Sequence, residues 1–241
     1  MRSAEAVVMS ARSCGQAGPS QPGNTRHLVM ERTGLLLLLT MMSVSAVWAQ
    51  QDLGASAATA PTLDTPQVRV IVTTLQQRKP VTAANGHTTN RVLVYLDNGS
   101  MTHTERGRTT RVEFRRGDVR WQAASGPYTF ENTSDHPIRI LEVDLKGPPA
   151  GRAAKSALDV IAVDPKHFKV QFENDAVRVL RVHYNPHDKS ENHEHVLNRV
   201  NLYLNDSIFG KMDEVRASAP RIHIEENDSD LPADAIAVEL K

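Results

Sequence analysis

From Val68 onward the chain is a succession of short runs in which apolar and polar residues alternate. VRVIVTTL, RVLVYL, TTRVEF, GDVRWQA and PIRILEVDL come first. VIAVDP, HFKVQF, VRVLRVHY, RVNLYL, PRIHIE and AIAVELK follow. The runs are rich in β-branched residues and are bounded by Gly, Asn or Asp, so they predict strands joined by tight turns. The first half holds no amphipathic helical pattern. GPPAGRAAKS, residues 147–156, breaks the alternation and predicts a linker. The expectation is an all-β chain in two strand-rich halves, residues 67–146 and 157–241.

The halves match each other. NRVLVYLDN (Asn90–Asn98) lies over NRVNLYLND (Asn198–Asp206) at a spacing of 108 residues. Glu131–Lys146 lies over Glu226–Lys241 at a spacing of 95, so the second half is 13 residues shorter between Leu204 and His223. The corresponding part of the first half, MTHTERGRTTRVEFRRGDVRW, reads as a hairpin. Order and strand phase are both kept, which marks an internal repeat. One small barrel or sandwich per repeat is expected, and a single sandwich built from both halves is the alternative.

Upstream the pattern changes. Residues 1–29 are polar, and Met30 suits a start better than Met1. Residues 30–49, MERTGLLLLLTMMSVSAVWA, combine Arg32, an apolar run and small residues at a cut site after Ala49, the pattern of a secretory signal peptide. The run of about 14 residues is shorter than the roughly 20 of a membrane span. Export to the periplasm or outside the cell is therefore expected, with no stable membrane anchor after cleavage. Residues 50–66 read as a flexible leader. The single cysteine, Cys14, lies upstream of the cut, so the exported chain would have neither disulfides nor thiolate ligands. A formal net charge of zero gives no basic surface for a nucleic acid.

The candidate chemistry lies in ENHEHVLNRVNLYL. On an extended chain His193 and His195 share a face, and Glu194 points the other way. An HxH before an alternating strand, then a GD…W run and H-x-x-x-N before a final strand, resembles the cupins. The resemblance covers most of Val68–Lys241. It implies two small cupin-like barrels (double-stranded β-helix, or jelly-roll) in tandem, the second shortened. Cupins hold a metal on two histidines of a first motif, an acidic residue and one histidine of a second motif. Carried over, the ligands are His193, His195 and His223, the last standing four residues before Asn227. The acidic ligand would fall at Arg199 or Val200, and neither can serve. In the first half the same positions read Asn85, His87 and Tyr128, although Gly117 and Asn132 keep their places.

The resemblance thus implies one divalent transition metal (Mn, Fe, Ni, Cu or Zn) in the second repeat, and three neutral imidazoles with open positions suit such ions. The first repeat becomes a metal-free barrel with a ligand pocket lined by His87, Tyr128 and Asn85. His183 and His187 could stand behind the metal ligands, and a polar turn around Asn185-Pro186 is the plainer reading. Tyr95 and Tyr203 read as packing residues and Trp121 as filling the first core. Arg106, Arg108, Arg111, Arg115 and Arg116 read as a solvated hairpin. No nucleophilic triad, phosphate loop or dinucleotide fingerprint is present. The expected protein is an exported tandem cupin whose second repeat, with its metal, acts on or binds a small polar molecule. The alternative is a non-catalytic binding or assembly protein without metal. An open edge on the shortened barrel would favour a homodimer.

Overall fold

The computed structural model describes residues 61–148 and 155–241. The signal sequence and most of the leader and linker read above lie outside the described residues.

The first repeat forms β1 (Leu63–Asp64), β2 (Val68–Leu75), β3 (Pro80–Ala83), β4 (Arg91–Tyr95), β5 (Gly99–Glu105), β6 (Arg108–Phe114), β7 (Val119–Gln122), β8 (Tyr128–Asn132) and β9 (Ile138–Leu145). These build two antiparallel sheets in the orders β1-β2-β9-β4-β7 and β3-β8-β5-β6. β1 falls inside the stretch read as leader; its Leu63 pairs with Val70. The expected hairpin is β5–β6. Its tip, Arg106-Gly107, has φ of 51° and 75°, the left-handed pair that makes a two-residue turn follow the twist of its strands.

The second repeat forms α1 (Val160–Val163), β10 (Phe168–Glu173), β11 (Val177–Tyr184), β12 (His193–His195), β13 (Arg199–Tyr203), β14 (Val215–Ser218), β15 (Arg221–His223) and β16 (Ala233–Leu240). VIAVDP, read as a strand, is instead one helical turn. Asp159 imposes it as N-cap, its side chain accepting from the Ile161 amide at 3.1 Å. The larger sheet runs β10-β11-β16-β13-β14, and the smaller is only β12-β15. The residues missing from this repeat are therefore the β5–β6 hairpin: β13 pairs with β14 as β4 pairs with β7, and half of the smaller sheet is absent.

The largest core lies between the repeats. On β4, Val92 and Val94 face the second repeat; on β13, Val200 and Leu202 face back. Arg91, Leu93 and Tyr95, one residue out of phase, point into the first barrel, and all five β4 positions are buried. This burial explains why NRVLVYL and NRVNLYL are the best-matched pair. Each such Val or Leu contributes roughly 1.5–3 kcal/mol. Trp121, expected in the first core, packs at this interface and stacks on Phe172 at 5.9 Å. Arg116, expected in solvent, bonds the carbonyls of Leu96 and Leu204, one in each repeat. Its guanidinium and that of Arg139 share Asp213. Arg106, Arg108, Arg111 and Arg115 are exposed as expected.

Candidate metal centre

Strand alternation on β12 sends His193 and His195 inward, where they are 0% and 2% exposed. Glu194 points out to the Ser156 hydroxyl. β15 pairs antiparallel with β12 and sets His223 directly across from His193. The two Nε2 atoms are 3.1 Å apart, and ligand atoms of all three histidines lie within 4.8 Å of one another.

Each ring is held through its other nitrogen. His193 Nδ1 donates to the Glu191 carbonyl at 2.9 Å. His195 Nδ1 donates to the Glu239 carboxylate at 3.1 Å. His223 Nδ1 faces Glu225 at 3.6 Å. An acceptor at Nδ1 fixes the proton there and leaves the Nε2 lone pair for the cluster, which is how metal-binding imidazoles are oriented. Burial pushes the His195 imidazolium down from its ordinary pKa. Burial, with Arg221 second, pushes His223 down to about 3. Neutral rings with converging lone pairs are what a divalent ion requires, so the residues present fit one.

Glu239 is the anchor the sequence reading missed. It is 0% exposed and accepts from Arg178 at 2.6 Å as well as from His195. Arg178 in turn grips Asp159 with two bonds of 3.1 and 2.8 Å. This chain ties the helix cap to the histidine ring. Burial works against the Glu239 charge, yet His195 and Arg178 hold its pKa below the ordinary carboxylate range. The signal was in the sequence: AIAVEL carries a lone acid at the inward phase of a buried strand.

His183 and His187 do not support the metal ligands. His183 is exposed, and His187 is an exposed turn residue at φ 61° that pairs with Asp230. Glu239 and the Glu191 carbonyl take the role expected of them. Asn227 is structural: its amide group spans the Asn185 and Leu231 carbonyls at 2.9 and 2.8 Å. Asn132 does the same for Leu75 and His136 in the first repeat.

In the first repeat His87 and Tyr128 meet edge to face at 5.4 Å. Asn85 does not join them, since it is exposed in the turn after β3. His103 of β5 takes its place, 5.5 Å from the Tyr128 ring. The sequence reading missed His103 because it sits in the hairpin rather than in a motif. Below these rings, Arg91 pairs with Glu142 and reaches the Tyr128 hydroxyl at 3.3 Å.

Solved structures with this architecture include AerE from Microcystis aeruginosa, at 10% identity over 76% of this chain and 96% of that chain, TM-score 0.53. An oxalate decarboxylase variant from Bacillus subtilis matches at 12% identity over 73% and 69%, TM-score 0.51. A salicylate 1,2-dioxygenase variant from Pseudoaminobacter salicylatoxidans matches at 10% over 72% and 71%, TM-score 0.50. The fold is that of the cupins. At these identities the likeness concerns the fold alone. No family model and no curated protein matches the sequence. Within the cupin frame, the first repeat has Tyr128 where the second has His223, and among the described residues the candidate metal centre belongs to the second repeat.

Proposed function

We propose that the second repeat binds one divalent transition metal on His193, His195 and His223 and acts through it on a small polar molecule. What carries this is the convergence of one ring nitrogen from each of three histidines, each ring facing an oxygen acceptor at Nδ1. Such an ion supplies Lewis acidity, or a site for a small reactant, at its open positions. The protein's own part is to orient the rings, through Glu191, Glu239 and Glu225, and to keep His195 and His223 neutral by burial. Cupins among its structural relatives include metal-dependent enzymes, and one Bacillus subtilis oxalate decarboxylase structure is described by its Mn(II) centres. We take the chain to be exported, on the strength of the pattern in residues 30–49.

The test is elemental mass spectrometry of the purified protein beside His223→Ala. Near-stoichiometric Mn, Fe, Ni, Cu or Zn, lost in the variant, is the expected result. No metal in the wild type after reconstitution with each ion would leave the non-catalytic binding protein as the reading.

A further inference from the structure

Arg91 and Arg199 occupy the same position of the repeat, 108 residues apart. Both point into their barrel, and both stand across from an acidic residue of the last strand, Asp144 and Glu239. They differ in what lies two residues back on that strand. Arg91 has Glu142, a fully buried carboxylate that pairs with it. The equivalent of Glu142 is Ala237, and that of Ile140 is Ala235. These small residues leave a cavity of about 190 Å³ beside His195, lined by Arg199, Ala235 and Ala237.

Arg199 is 3% exposed, and its recorded hydrogen bond is to the Ala219 carbonyl, 3.1 Å away. Among the described residues it makes no ion pair. The carboxylates nearby are committed elsewhere: Glu239 to His195 and Arg178, Glu225 to Arg221. A buried guanidinium without an ion pair is costly. Arg91 shows which partner this position accepts.

We propose that the cavity of the second repeat binds a small carboxylate, seated on Arg199 as the Glu142 carboxylate is seated on Arg91. The planar fork of a guanidinium matches a carboxylate in two bonds. Phe168, Val182 and Phe209 form an apolar wall, which suits a compact apolar body behind the acid group. The volume equals that of about six waters, so the ligand is a short-chain or single-ring acid. This names the ligand class of the site proposed above, although Arg199 rather than the metal carries the recognition.

The test is calorimetric titration of acetate and benzoate, each beside its neutral amide, into the full chain with and without metal. Arg199→Met and Ala237→Glu are titrated in parallel, with unfolding curves and metal content recorded for each. The expected result is that at least one acid binds tenfold or more tighter than its amide, in metal-stripped protein too. Both variants fold, keep the metal and lose that binding at least tenfold. Ala237→Glu loses it because it supplies the internal carboxylate that Arg91 already has. Acids and amides that bind alike, no binding of either acid, or acid binding unchanged in Arg199→Met would each overturn the proposal. Arg199-dependent binding by a protein that takes up no metal would leave this inference standing and remove the metal reading. Metal uptake without acid binding would do the reverse.

Discussion

Arg91 faces Glu142, and Arg199 faces Ala237. Around them the larger sheets of the two repeats keep the same strand order, and the arginine strand keeps the same register against the last strand, so the contrast centres on one charge. In the first repeat the arginine is neutralised by the chain itself, with Thr73 and Tyr128 completing the network. Burial works against the Arg91 charge, yet Glu142 together with Tyr128 and Asp144 outweighs it and the guanidinium is held above its ordinary pKa. In the second repeat burial, with Arg221 second, pulls Arg199 the other way. A compensated polar interior supports a fold; an uncompensated one next to three converging imidazoles is the ground on which a ligand from outside is proposed. The second repeat also lacks the hairpin that extends the smaller sheet of the first, and its Ile222 and Ile224 are exposed.

The sharpest way to break this comparison is to make the same change in both repeats. Arg91→Met strands Glu142, which is 0% exposed, and should cost about 3–5 kcal/mol, as breaking a buried pair does. Arg199→Met removes a buried cation that makes no ion pair among the described residues, so stability should hold or rise. Denaturant unfolding of the full chain measures both. Equal losses would mean that Arg199 has a structural partner after all, and the two barrels would not differ as argued.

A smaller effect is expected where the repeats touch. Gly117 has φ +85°, and a Cβ there would meet Arg181 Nη1 at 2.1 Å and Leu204 at 2.9 Å, both in the second repeat. Gly107, at φ +75° on the hairpin tip, has nothing within 4 Å. Gly117→Ala should therefore cost about 2–3 kcal/mol and Gly107→Ala about 1 kcal/mol. The difference between them reads the contact between repeats, because backbone strain is common to both. If the two substitutions cost the same, Arg181 yields freely and the interface depends on its apolar core alone.

The repeat was legible because strand phase survives where side-chain chemistry drifts. NRVLVYL and NRVNLYL are buried on two faces, so nearly every position is constrained and the match persists. His193, His195 and His223 could be placed because two of them share one strand face and the third keeps its distance from Asn227. What the sequence hid were groups whose role depends on another strand. VIAVDP looked like a strand, yet Asp159 just ahead of it caps a helical turn and braces Arg178. Glu239 carried a visible phase signal but no visible partner. Asn85 was lost to a turn after β3, which the alternation of PVTA did not foretell. Trp121 has the phase of an outward residue in a barrel whose outside is covered by its own twin.

The mildest test concerns water in the first barrel. Burial, with Arg91 second, lowers the pKa of His87 from 6.5 to about 4. Between those values the unfolded chain takes up a proton that the folded protein refuses. The unfolding free energy contributed by His87 is therefore present above pH 6.5 and lost as pH falls toward 4. Because the residue is only partly buried, the loss should be on the order of 1 kcal/mol. The measurement is the stability difference between wild type and His87→Gln at pH 7 and at pH 4.5, in which the acid response of the second repeat's histidines cancels. That difference should move against the wild type at the lower pH. No movement would mean that His87 is solvated when folded, and then the first barrel is as open as the second, with Arg91 closed by Glu142 but its pocket free to admit a ligand.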